Sequence, residues 1–183
     1  MQVSDTPLPY DLEPFCAVLR EAVTARGVAG LADVERALSG LLLDPAFVAA
    51  VFDPAAPVAK RQLAHEPVTG AYVLAHMHAP GREGAPHTHG DSWAVYGTAH
   101  GATVMTEWQD ADDGSPDGRT LAASDRYTLA PGETRAYHSG RIHSTQHPVP
   151  SWVIRITGAN LDEVERYRFD PKRDRIVGAN ATP

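Results

Sequence analysis

Two histidines separated by a single residue, His87 and His89, stand in the stretch GREGAPHTHGDSWAVYG, residues 81–97. On extended backbone alternate side chains face the same way, so both imidazoles can grip one metal ion. The best third donor is His143 in YHSGRIHSTQH, which has turn residues before it and strand-like sequence after it. Three neutral nitrogens on one side of a borderline divalent ion leave the opposite side open to water, substrate or dioxygen. That is the geometry of a catalytic site rather than a closed structural one. Neutral histidines suit Fe(II), and equally Zn, Ni, Mn or Cu, so ligand type does not select the ion.

The remaining histidines have plainer readings. His76 and His78 alternate on an apolar run and are expected either to meet water or to form a second metal pair, while His65, His100 and His147 are expected at the surface or in loops. His138 is read either as a partner orienting a ligand imidazole or as a plain strand residue. Trp93, Tyr72 and Tyr137 are candidates for lining a pocket or for ordinary core. Tyr137 and His138 are the candidates for acid–base work.

The elements that must position these residues change type along the chain. At 183 residues the chain suits one domain with a single core. We divide it into an arm and helices over residues 1–56, a barrel over 57–170 and a tail over 171–183. Leu12, Phe15, Cys16, Leu19 and Val23 recur at three and four, predicting a helix that Asp11 can cap and Gly27 ends. Leu31, Val34, Leu38, Leu41 and Leu42 predict a second, stopped by Asp44-Pro45, with a short third piece over 46–52. Beyond Pro57 the signals are those of short strands: 61–65 and 70–78 as a hairpin, 92–96 with a break at Gly97, 102–108, 126–129, 134–138 and 151–157. Residues 110–119 read as a solvated hairpin loop, residues 161–168 as either a short helix or a strand, and both termini as loose.

The formal charge of −7 and the scattered Lys and Arg argue against nucleic acid and anionic membranes as partners. A small molecule or a protein is left, and the residues leave a homodimer open. A lone cysteine, Cys16, no apolar leader and no run of about 18 apolar residues predict a cytoplasmic protein.

Gly81, five residues, His87-x-His89 and then Gly97, followed by Gly140, two residues and His143, resembles the paired motifs of the cupin superfamily over about residues 59–158. The resemblance implies a mainly β fold, a small antiparallel barrel of the double-stranded β-helix kind behind two or three helices, with a metal at its mouth. Where the first motif usually has glutamate this chain has Trp93 and Ala94, and where the second has proline it has His138. Three histidines without the glutamate resemble the thiol dioxygenase branch, cysteine dioxygenase and 3-mercaptopropionate dioxygenase. That likeness implies Fe(II), dioxygen and a small carboxylated substrate. It places Arg61 on the arginine that clamps the substrate carboxylate. The branch's serine, histidine and tyrosine relay falls on Val153, Arg155 and Thr157 and is therefore absent, and its crosslinked cysteine falls near Ala94. Arg155 is a new charge which, facing the cavity, would favour an anionic substrate. The alternatives are a three-histidine cupin cleaving a carbon–carbon bond of a diketone or hydroxylated aromatic, favoured by an apolar cavity with Arg61 turned away, and a non-catalytic metal- or ligand-binding cupin.

Overall fold

A computed structural model describes residues 9–55, 59–111, 120–170 and 175–177. The predicted N-terminal arm, the tip of the acidic loop and most of the C-terminal tail lie outside them. Three helices come first: α1 (Glu13–Arg26), α2 (Leu31–Leu42) and α3 (Pro45–Val51). Their apolar stripes are the predicted ones, with Leu19, Leu31, Val34, Leu38 and Phe47 at or near zero exposure. The Asp11 carboxylate accepts the Glu13 N–H, and Asp44 caps α3 by accepting from the Ala46 N–H. Gly27 ends α1 at φ +55°. No helix among the described residues is long and apolar enough to cross a membrane.

The strands are β1 (Ala59–Glu66), β2 (Ala71–His78), β3 (Arg82–Glu83), β4 (Ala94–His100), β5 (Thr103–Ala111), β6 (Thr120–Leu129), β7 (Thr134–Tyr137), β8 (Ile142–His147), β9 (Ser151–Thr157), β10 (Arg168–Asp170) and β11 (Arg175–Val177). They form one antiparallel sheet in the order β1-β2-β9-β4-β7, a second in the order β3-β8-β5-β6, and a separate β10-β11 pair. From β4 onward the chain passes back and forth between the two large sheets. This is the double-stranded β-helix winding, and the expected cupin-type barrel is present.

Period-two alternation assigns the two faces of the first sheet. Val73, Ala75, Met77, Val95, Ile154 and Ile156 share a core with the helices, whereas Ala94, Tyr96 and Val153 join Met105, Leu129 and Tyr137 from other strands in a second core inside the barrel. The helices thus close one face of the sheet, and the other face is free to build a site.

The structure corrects several expectations. Gly97 does not break its strand, because β4 continues through it to His100. A Cβ there would come within 2.4 Å of Leu42 Cδ1 and 3.0 Å of Leu38 Cδ2, so the glycine admits α2 onto the sheet. The segment read as a helix or strand over 161–168 is a turn-rich strap over 161–167 and enters a strand, β10, only at Arg168. The short strand β3 had no sequence signal. The β1–β2 hairpin is as predicted, and its turn is gathered by buried Glu66, which accepts from Val68 N–H, Thr69 N–H, the Thr69 hydroxyl and Arg20 Nε.

Candidate metal centre

The predicted third donor meets the predicted pair through the backbone. His87 N–H donates to the His143 carbonyl at 2.9 Å and His143 N–H donates back to the His87 carbonyl at 3.1 Å. His87 therefore sits in an isolated bridge rather than on a continuous strand, and His143 is the second residue of β8. His89 follows at the turn made by Gly90, at φ +60°. One ring nitrogen from each of His87, His89 and His143 lies within 4.8 Å of the other two. It is the one group of histidine, cysteine and carboxylate side chains with such spacing among the described residues.

The side chains are prepared as donors. His87 Nδ1 lies 3.0 Å from the Ala85 carbonyl and His143 Nδ1 3.4 Å from that of Arg141. A carbonyl only accepts, so each Nδ1 carries the proton and each Nε2 keeps its lone pair. Burial lowers all three imidazoles, with the charge of Arg155 adding to the effect; His87 is held at about 4, and His89 and His143 are held well below their ordinary value. At neutral pH the centre is three neutral nitrogens, which fits a borderline divalent metal and a chemistry that keeps one side open.

Tyr96 is a member that sequence reasoning missed. Its hydroxyl stands 3.2 Å from His89 Nε2 and 3.3 Å from His143 Nε2. Alternation from Ala94 along β4 was the available signal, but only the winding of the barrel shows which face meets the histidines. Burial raises the Tyr96 phenol, against the lowering pull of Arg155, so it holds its proton. Behind His143 the Tyr137 ring stacks at 4.3 Å, its hydroxyl bonded to that of Tyr127, which donates to Glu107 Oε1. Burial would push Glu107 up, but hydrogen bonds from Arg141, Arg135 and Tyr127 lower it.

A cavity of about 180 Å³ opens beside the triad, lined by His87 and Tyr96 and by His76, His78, His147 and several arginines, among them Arg155. Arg155 lies in this lining, the placement under which the sequence reading favours an anionic substrate. Arg61 is not in this lining: it pairs with Ala75, a residue of the helix-facing core, and so projects from the opposite face to the Lys60–His76 pair. Trp93 also stays outside, its indole packed on Gly158 and the helix-side core. Tyr72 stacks on His65 and lines a separate crevice with Lys60. Tyr137 supports His143 from behind instead of facing the cavity, and His138, just past the end of β7, is exposed. His100 packs on Trp152. His147 is no surface residue: it is 2% exposed and stacks on His78 at 3.9 Å, because β8 carries it to the same inner face as His143.

No family model and no curated protein matches the chain. Solved structures with a similar chain trace include a cupin superfamily protein from Desulfitobacterium hafniense, 13% identical over 62% of this chain and 87% of that one, with a TM-score of 0.44. Others are KdgF from Halomonas sp., 18% identical over 58% and 83% with a TM-score of 0.43, and a Streptococcus pyogenes protein of unknown function, 14% identical over 62% and 83% with a TM-score of 0.45. The chemistry of the centre rests on its own side chains.

Proposed function

We propose that His87, His89 and His143 hold Fe(II), and that the protein is a dioxygenase of a small carboxylated substrate, with that substrate and dioxygen as its partners. The observation that carries this reading is a set of three neutral imidazoles, with no carboxylate among them, converging at the edge of a cavity. Held by His87, His89 and His143, Fe(II) would supply redox chemistry toward dioxygen and a grip on an anionic donor atom. The chain does the rest. The Ala85 and Arg141 carbonyls fix two of the rings, and the Tyr137 stack holds the His143 plane. The Tyr96 hydroxyl keeps a proton beside the ligand nitrogens, where it can be lent to a developing negative charge. Arg155, paired across the sheet with Tyr96, offers a planar cation to a carboxylate on the cavity side.

Arg61 is turned away from the cavity, as a diketone or hydroxylated aromatic substrate would want, but such a substrate would also want an apolar wall, and the wall is cationic. The thiol version is the narrower form of the proposal, and the relay it would normally use is replaced here by Val153, Arg155 and Thr157. Anaerobic reconstitution with Fe(II), elemental analysis and an oxygen electrode test both. We expect one iron per chain, lost in His143→Ala, and oxygen uptake with a carboxylated compound from a panel of cysteine, 3-mercaptopropionate and small keto and hydroxy acids, but none with cysteamine. Iron-loaded protein that consumes no oxygen across the panel would overturn the dioxygenase.

A further inference from the structure

The wall of the cavity away from the triad has a composition of its own. It carries four arginines, Arg82, Arg155, Arg166 and Arg168, and no aspartate or glutamate. Elsewhere Arg20, Arg26, Arg36, Arg135 and Arg141 each meet a carboxylate, whereas the cavity four form no ion pair among the described residues. The buried side-chain nitrogens left without a hydrogen-bond partner among those residues are Arg155 Nε, Arg166 Nε, His76 Nε2, His78 Nδ1 and His147 Nδ1. All five belong to this one lining. Buried polar atoms in a folded protein nearly always have partners, so five convergent ones mark a place where a partner arrives from outside.

We propose that this wall binds a doubly charged anion, a dicarboxylate or a phosphate ester, with Arg155 and Arg166 as its principal contacts. The proposal rests on the triad being the reactive end of the same cavity and names the class of substrate that reaches it. Two charges are called for because Arg155 and Arg166, from different elements, each hold a buried guanidinium nitrogen without a partner, whereas Arg82 and Arg168 are exposed and screened by solvent. The arrangement also gives the anion a direction. Arg155 is the cross-strand partner of Tyr96, whose hydroxyl touches two triad nitrogens, so one anionic group at Arg155 lies near the metal. Arg166 and Arg168 come from the strap, which is fastened alongside the triad segment by Tyr167 N–H to Thr88 Oγ1, Thr88 N–H to the Tyr167 carbonyl and Phe169 N–H to the Pro86 carbonyl.

The three histidines of this wall do not make a second metal site. His78 and His147 stack nearly parallel, 17° apart, which does not aim their lone pairs at one point, and guanidiniums beside them repel a cation. They serve as neutral N–H donors. Burial, the neighbouring His147 and the charges of Arg82 and Arg155 keep His78 at about 3, burial and Arg82 keep His147 at about 4, and burial and Arg155 lower Arg166, which an arriving anion would relieve.

Calorimetric titration of the metal-loaded protein at pH 7.5 and constant ionic strength, with malonate, inorganic phosphate and acetate as probes, tests the assignment. We expect malonate or phosphate to bind at least tenfold more tightly than acetate. Arg155→Gln and Arg166→Gln should each weaken the preferred dianion about tenfold or more, Arg166→Lys less, with metal content unchanged. Exposed Arg126, bonded to Gln146 on the outside, should be replaceable by Gln without effect. Preference for malonate points to a dicarboxylate, and preference for phosphate to a phosphate ester. Equal, weak binding of all three ions, or dianion binding undiminished in both glutamine variants, overturns the proposal. Metal-loaded protein with no dianion preference sinks this inference alone, whereas dianion binding by protein that takes up no metal leaves it standing and removes the metal centre.

Discussion

His143 joins the two motifs, since its backbone bonds to His87 and its ring nitrogen faces Tyr96. Replacing it or His89 with alanine should lower metal affinity by on the order of 100-fold or more, read as metal per chain after dialysis, with the far-ultraviolet circular dichroism retained. Tyr96→Phe keeps the ring and removes the proton. It should leave metal content intact and cut kcat by roughly 10²-fold or more if the hydroxyl acts on the reacting atoms, and an unchanged kcat would confine Tyr96 to packing. The cavity histidines also predict a pH response. His78 and His147 are depressed to about 3 and about 4 from 6.5, so the unfolded chain takes up their protons first. The stability tied to their neutral forms is complete above pH 6.5 and is lost as pH falls through 4 and then 3. Glu66, held at about 2 from 4.5 because its hydrogen bonds outweigh burial, acts in a lower window. Urea midpoints should already fall between pH 7 and pH 5, and a His78→Gln/His147→Gln variant should show a shallower fall. Equal slopes would refute this account.

Among the elements, α2 lies directly on β4 at Gly97. Gly97→Ala would force a methyl against Leu42 and Leu38 and should cost about 1–3 kcal/mol, seen as a Tm lowered by several degrees, without loss of metal. The helices and the β1–β2 hairpin could be read from the chain because their signals are local: stripes at three and four, Asp44-Pro45 at a stop, Glu66 before a turn. The triad could be read as well, since two ligands are neighbours and the third follows its own glycine. What could not be read depends on distant chain. Gly97 looks like a breaker until α2 is seen to need its missing side chain. Residues 161–167 have no period because they are tied to distant chain, Tyr167 to the backbone N–H and the hydroxyl of Thr88, rather than held by a stripe of their own. His147 looks like a loop histidine until β8 turns it inward to His78. Arg61 fitted a linear comparison with a related motif, but β1 pairing puts it on the other face of the sheet.

Taken whole, the molecule is an acidic body of formal charge −7 around a cavity whose charged lining is entirely basic. The arginines lie near enough to the triad that Arg155 lowers each imidazole's hold on a proton. The same field must lower each imidazole's hold on a divalent cation, so an anion seated on Arg155 and Arg166 would lift that penalty. Occupancy of the two ends is then linked, and the linkage is reciprocal by thermodynamic necessity. Apparent metal affinity measured with and without saturating malonate or phosphate should rise by the same factor as anion affinity measured with and without metal, with chelation by the free anion corrected for. Such a protein would hold its ion loosely between turnovers and firmly once an acid had entered, so that the readiness of the centre is governed by the arrival of its own substrate.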